Sequence, residues 1–403
     1  MQLSNKTVMN RTRYDAIVIG AGPAGTAAAI TLGLAGHQVL LVEKSRFPRE
    51  KLCGEFLTPE SRPILTRLGV EEEMLAAGAA LIEQFNLYDP AGRCVEIPMR
   101  WIADGAALGI TRGRMDRILL DRAIEVGVEV REEFTISPNF RIEGDEQVLE
   151  GRYPEGPLET LRTTITVDAS GRHGAFSRQI RQEASRLNGA RLFGCKVHLQ
   201  RIPGMDGLGE LFFFGDGYGG LSDVEEDRSN LCFLTTERTL IEARGDREKL
   251  LDLTVRTNPA ARARLAVATA AGEWHGTGPI TYGRQQTMAG VLTVGDASAF
   301  IDPFTGSGML LALSSGELAA QVIDRHLSAK SAAKSGAASP ADAMLMIAEY
   351  HERHRSLFSR RYRAVSLLRR LAFQPATRQL MVSLLSRQQG LARLIARSTR
   401  AHH

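Results

Sequence analysis

Three glycines and one acid are the first residues in this chain whose spacing could do chemistry. Gly20, Gly22 and Gly25 stand as G-x-G-x-x-G within YDAIVIGAGPAGTAAAITLGLAGHQVLLVEKS, residues 14–45. Gly20 allows a sharp turn, Gly22 lets backbone approach a pyrophosphate, and Gly25 with the small Ala24 lets a helix lie close on a sheet. Pro23 sits inside the turn, where a helix would begin. Glu43 follows Gly25 by eighteen positions, with Lys44 beside it. A carboxylate there can accept hydrogen bonds from a ribose.

Those residues need a strand, a helix and a second strand to hold them. AIVIG reads as a buried strand, AGTAAAITLGLAG as a helix, and HQVLLVE as a strand ending in the acid. The uncharged run from Ala16 to Gly36 is 21 residues, long enough to cross a bilayer. The glycine punctuation and the terminal acid favour a dinucleotide cradle instead.

A chain of 403 residues has room for two domains and a large core. Its 43% hydrophobic and 24% charged content is globular, and a net charge of +4 makes no case for nucleic acid. Cys53, Cys94, Cys195 and Cys232 show no metal spacing, so no metal is expected. The first 13 residues lack an apolar signal core, which points to the cytoplasm. Residues 341–403 carry twelve arginines against Asp342, Glu349 and Glu352, after a small-residue stretch, SAKSAAKSGAASPADA, that reads as a linker.

Two later segments complete a grip on the dinucleotide. TVDASGRHGAFSR places Asp168 at a strand end; VLTVGDASAFIDPFTGSGM gives Gly295-Asp296, a loop with Pro303, then Gly306-Ser307-Gly308 opening a helix. A strand-end carboxylate can bind a polyol chain, and a helix N-terminus can hold negative charge on a flavin ring. Three separated contacts favour FAD over NAD.

With these segments the chain resembles the FAD-dependent oxidoreductases of the aromatic-hydroxylase fold, and within them the geranylgeranyl-reductase-like branch, related to flavin halogenases. The resemblance runs from Tyr14 to Ala320 and adds KLCGEFLTPE at 51–60 and ITRGRMDRILLDRA at 110–123. It implies that Gly20, Gly22 and Gly25 hold the pyrophosphate, Glu43 the ribose and Asp296 the ribityl chain. It places Arg112 on the flavin side and Pro303, Gly306 and Gly308 at the ring's pyrimidine end. It puts Cys53 and Glu55 near the active-site face as candidate catalytic groups, Glu55 as a proton donor.

From Asn188 to Gly276 the pattern alternates in period two, reading as an antiparallel sheet that carries substrate. LFFFGDGYGG makes Phe214 and Tyr218 candidate substrate contacts. The expected fold is α/β: a Rossmann-type FAD domain from 14–80, 106–187 and 277–330, an inserted antiparallel β-sheet substrate domain from 81–105 and 188–276, and a basic helical region, 341–403. In that region Leu357, Tyr362, Leu367, Leu368 and Leu371 are expected to form one apolar face, and Leu380, Leu384, Leu385, Leu391, Leu394 and Ile395 another. It is expected to cap the flavin domain with its arginines in water; peripheral membrane contact is the alternative. Arg114, Arg117 and Asp116 are expected to make surface pairs.

The expected activity is FAD-dependent redox chemistry on an apolar or aromatic small molecule, by hydride transfer to a C=C bond. An O2-using monooxygenase is the alternative. Prenyl reductases carry Y-x-W-x-F-P where this chain has YGGLSDV, with Gly220 in the Trp place. Halogenases carry a paired-Trp motif and a catalytic Lys; Trp101 and Trp274 are far apart, which sets halogenation last beside a non-enzymatic flavin module. No second dinucleotide fingerprint occurs, so NAD(P)H is a candidate transient donor.

Overall fold

The computed structural model describes residues 13–172, 176, 186–187, 190–215, 217–284, 288–333, 339–374, 385, 388, 390 and 393. Strand β1 (Arg13–Ile19) is the hub of the first sheet, with Ala16, Ile17 and Val18 shut from solvent. It pairs in parallel with β2 (Val39–Val42) on one side and β3 (Glu159–Asp168) on the other. Strand Glu129–Arg131 extends the sheet beyond β2, and Val291–Thr293 pairs in parallel with β3. An antiparallel hairpin, Thr135–Glu143 and Glu146–Arg152, completes seven strands.

Helix α1 (Pro23–Leu34) crosses from β1 to β2 and is buried along most of its length. That explains the long uncharged run: it packs inside protein, with the sheet on one side and another helix on the other. Helix α2 (Arg112–Glu125) starts at Thr111, whose hydroxyl accepts the N–H of Arg114. Helix α3 (Gly308–Ala333) packs on α1 at backbone distance. A Cβ on Gly316 would lie 2.0 Å from the Ala24 carbonyl oxygen.

The second sheet centres on β4 (Ala190–Gln200), β5 (Leu208–Phe214), β6 (Gly217–Val224) and β7 (Arg228–Thr236), in the order β4–β7–β6–β5. Gln84–Tyr88 adds in parallel to β5, and Cys94–Pro98 follows it. Strand alternation splits its aromatics between two faces. Phe212, Phe214 and Phe233 pack outward with Leu250, Val255 and Ala261. Phe213, Tyr218 and Leu234 pack the other way with Ile280, Phe304 and Phe373. The expectation for Phe214 is corrected: Tyr218 points toward the loops of the first sheet and Phe214 points away.

Helix α4 (Pro340–Phe373) begins at a reciprocal cap, Ser339 with Asp342. Much of the expected linker is helix: α3 runs to Ala333 and α4 starts at Pro340, because alanine favours helix. The buried face of α4 includes Met346, Tyr350, Phe358, Arg361 and Val365, following the helical repeat. The face expected from Leu357 and Leu367 is corrected, since they are 40% and 58% exposed. Of the second expected face only Leu385 is described, beside Val95; Leu380, Leu384, Leu391, Leu394 and Ile395 lie outside the described residues. Among the described residues no helix is long and apolar enough to cross a membrane.

The α1–α3 approach sets a test. Gly316→Ala should cost about 1–3 kcal/mol by overpacking, read as a lower urea midpoint with an unchanged slope. An unchanged midpoint would contradict the packing.

Candidate functional site

The glycine turn is closed to any side chain except where a ligand would lie. A Cβ on Gly25 would sit 1.9 Å from the Gly20 carbonyl oxygen, and one on Gly20 2.6 Å from that of Ala169. Gly20 also holds φ at +100°, a region glycine enters easily. Above Gly22 the nearest groups to a Cβ are guanidinium nitrogens, Arg112 Nη2 at 3.9 Å and Arg49 Nη2 at 4.0 Å. Backbone N–H groups at the start of α1 and two arginines therefore converge on one point, which suits a pyrophosphate.

Glu43 ends β2 and accepts the N–H groups of Ala21 and Ser45, each at 3.0 Å. Lys44 next to it is exposed. Arg112 is buried and clamps Asp116 through two bonds of 2.9 and 2.7 Å. Burial works against the Arg112 charge, but Asp116 and then Cys53 outweigh it and raise its pKa. The surface reading of Asp116 is thus corrected: it is buried beneath Arg112 and Arg49, while Arg114 and Arg117 do pair on the surface, with Glu226 and Asp121.

Lys51 projects into the same cleft. Solvent reaches it, yet protein surrounds it: its amine lies 3.5 Å from where a Gly171 Cβ would be. Burial, then the Arg112 charge, pull its pKa down against the pull of Asp296. Asp296 opens into the cleft from a short 3-10 turn, Gly295–Ala297, and burial raises its pKa. Gly295 turns at φ +58°, its N–H bonded to Ser315.

Asp168 departs from the polyol-binding expectation. Its carboxylate accepts the N–H and hydroxyl of Ser170 and the N–H of Phe176, so it folds its own loop. Pro303 opens a 3-10 turn capped by Asp302, and Gly306 leaves that turn at φ +64°. Ser307 precedes α3, its hydroxyl accepting from Arg361 at 3.0 Å. Arg361 also grips Glu60 at 3.1 and 2.9 Å and is 3% exposed. Arg369 bonds Asp302 at 2.7 Å, and Tyr218 donates to that carboxylate at 2.6 Å. The α4 arginines expected in water are corrected here: Arg361 and Arg369 tie down the loop before α3.

Cys53 is partly open, and its Sγ accepts the Glu55 N–H at 3.4 Å and faces Met309 at 3.8 Å, in the first turn of α3. Glu55 departs from the proton-donor expectation. It is fully buried, and its carboxylate accepts the Arg112 N–H, the Lys196 amine and the His198 Nε2–H. An acceptor so fully engaged acts as a clamp between α2 and β4. Glu50, Glu55 and His198 gather closely enough to hold a metal ion. The Lys196 ammonium already stands among them, bonded to Glu50 at 2.9 Å. Burial works against that charge, and the two glutamates raise its pKa above the usual value.

Lys196, His198, Arg361 and Arg369 were not among the sequence candidates. The first two carried a signal: in RLFGCKVHLQ they take alternate positions of a strand that is otherwise largely apolar.

The cradle, the acid after β2 and the Asp296 loop fit FAD, and one comparison decides the family. Residues 13–332 match the family model described as FAD binding domain. The chain belongs to that FAD-binding family. Its cofactor is FAD, and its relatives include halogenases and reductases. It is 29% identical over 342 residues to flavin-dependent halogenase armH1 of Armillaria mellea, covering 76% of this chain and 64% of that protein. It is 25% identical over 344 residues to a digeranylgeranylglycerophospholipid reductase of Methanoculleus marisnigri, covering 80% of each. A flavoprotein/dehydrogenase structure from Cytophaga hutchinsonii superposes with a TM-score of 0.77 at 19% identity, covering 95% of this chain and 92% of that one. The chain spans about three-fifths of the length of the first halogenase relatives. Halogenases, set last on sequence alone, are thus well represented among relatives of this FAD-binding chain.

Two tests follow from this geometry. FAD affinity should fall as pH rises through the lowered Lys51 pKa, because only the ammonium attracts a pyrophosphate. Lys51→Met should bind FAD at least about tenfold more weakly and flatten that pH dependence, by fluorescence titration. Between α2 and β4, Glu55→Ala should cost about 3–5 kcal/mol, since it leaves the buried Lys196 ammonium with Glu50 alone and takes the acceptor from the Arg112 N–H and His198. Glu55→Leu combined with Lys196→Met should recover part of that loss in urea denaturation. Full stability in the single variant would contradict the clamp.

Proposed function

We propose that this chain is an FAD-dependent reductase that adds a hydride and a proton across a C=C bond of an apolar or aromatic small molecule. The observation that carries it is the setting of Cys53. Its thiol lies against Met309 at the N-terminus of α3, with the Glu55 N–H on the sulfur and the buried Arg112 guanidinium at hand.

FAD, when bound and reduced by a two-electron donor such as NAD(P)H, would supply the hydride for one alkene carbon. The Cys53 thiol gives its proton to the other carbon, so the π bond breaks and two C–H bonds form. The Glu55 N–H and Arg112 remain to hold the charge left on sulfur, and solvent restores the proton. The Tyr218 face of the second sheet supplies an apolar wall, and Arg361 and Arg369 keep the loop before α3 in place.

Oxygen-dependent hydroxylation or halogenation is the second reading, favoured by the names of the halogenase relatives. Against halogenation stands the lack of a paired-Trp motif, Trp101 and Trp274 being far apart in the sequence.

Reduced enzyme mixed anaerobically with conjugated alkenes in deuterium oxide should give product carrying one solvent deuterium. Cys53→Ala should keep FAD yet lose about a hundredfold or more in turnover. Oxygen from labelled O2, or bromide, in the product with normal Cys53→Ala activity would reverse the ranking.

A further inference from the structure

The second sheet hides a hollow in its middle. On β6 and β7 the adjoining inward residues Tyr218, Ser222, Asn230 and Leu234 are buried, but Gly220 and Cys232 remain partly open. They lie opposite each other in one cross-strand row, Leu211–Gly220–Cys232–Lys196. This is the face that carries Tyr218 and meets the Cys53 segment, not the outer surface of the molecule. Burial accordingly raises the Cys232 pKa far above its usual value.

The glycines of β5 and β6 show where the room is. A Cβ on Gly209 would strike Phe85 at 2.6 Å, one on Gly217 the Leu234 carbonyl oxygen at 1.9 Å, and one on Gly219 would crowd Phe233 at 3.0 Å. A Cβ on Gly220 would meet only the sheet itself, Glu210 O at 3.8 Å and Cys232 O at 4.0 Å. Among the described residues nothing from the opposing wall comes within 4 Å of it. A glycine in mid-strand with open space over it is a place where a ligand can lie against backbone.

A polar group borders the hollow. Asn230 is two residues from Cys232 on the same face of β7. Its Nδ2 donates to the Cys53 carbonyl oxygen at 3.1 Å, which fixes the amide orientation because a carbonyl can only accept. Its Oδ1 is thereby left as an acceptor, buried and without a hydrogen-bond partner among the described residues. Such an atom is costly to enclose and is satisfied by a donor brought from outside.

We propose that Gly220 and Cys232 floor the substrate pocket and that Asn230 Oδ1 accepts a hydrogen bond from a hydroxyl or N–H on a flat, unsaturated ring. Tyr218 walls the ring on one side, its hydroxyl held by Asp302. Asn230 thus sets specificity: it selects rings that carry a donor and disfavours their ethers. This rests on the reading that the inward face of the second sheet receives substrate, and it is independent of whether that substrate is reduced or oxygenated.

Binding is therefore measured without turnover, by calorimetry on the oxidised FAD-loaded protein, with 1-naphthol and its ether 1-methoxynaphthalene as probes. The naphthol should bind about tenfold more tightly. Asn230→Leu should erase that preference, whereas Gly220→Trp and the smaller Gly220→Leu should fill the floor and weaken both probes, with FAD content unchanged in each as the check on folding. No binding of either probe to the unmodified protein, equal binding of the two, a preference that survives Asn230→Leu, or unchanged binding in both Gly220 variants would each overturn the proposal. A failed reductive assay with the binding pattern intact would count against the reductase reading alone.

Discussion

One carboxylate holds the two halves of this molecule in register. Glu55 lies on the segment between β2 and α2, in a left-handed conformation at φ +53° that a non-glycine residue adopts only when its surroundings insist. Its oxygens take the first N–H of α2, the Lys196 ammonium and His198 from β4. Buried charge is tolerable only when paired and hydrogen-bonded. Because its partners come from both α2 and β4, satisfying Glu55 fixes where the second sheet stands over the first. Cys53 is two residues away, so the same constraint sets the position of its thiol.

Around that seam the cleft is electrically asymmetric. Arg49, Lys51 and Arg112 crowd the glycine turn, and their mutual repulsion is only partly offset by Glu43, Asp116 and Asp296. An anion with two phosphates relieves that repulsion as it binds. At the other end, α3 presents its N-terminus, and the loop before it is pinned from behind by α4 through Arg361 and Arg369. Such support matters for a loop, since loops otherwise carry the lowest local stability.

The basic tail therefore has a mixed role. Buried Arg361 and half-buried Arg369 brace the loop, while Arg355, Arg360, Arg363 and Arg370 line its exposed side. Exposure is decided by the helical repeat, which turns Phe358, Arg361 and Val365 inward together.

The first βαβ unit was legible because each of its residues meets a local demand. A turn with no room for Cβ requires glycine at positions 20 and 25, a buried strand requires AIVI, and a parallel neighbour requires the crossover helix. Period two likewise announced the second sheet. Local pattern does not encode which face of a strand meets which loop, so Phe214 was expected where Phe213 and Tyr218 stand. Nor does it encode partners far along the chain. Asp168 looked like a ligand and serves its own loop, and Glu55 looked like an acid and is a clamp. Lys196 and Asn230 gain their meaning only from residues more than 140 positions away. The sequence by itself determined the cofactor cradle, whose chemistry is a matter of backbone and neighbours. The tertiary structure decided the site above it, because burial and hydrogen-bond completion belong to the assembled fold.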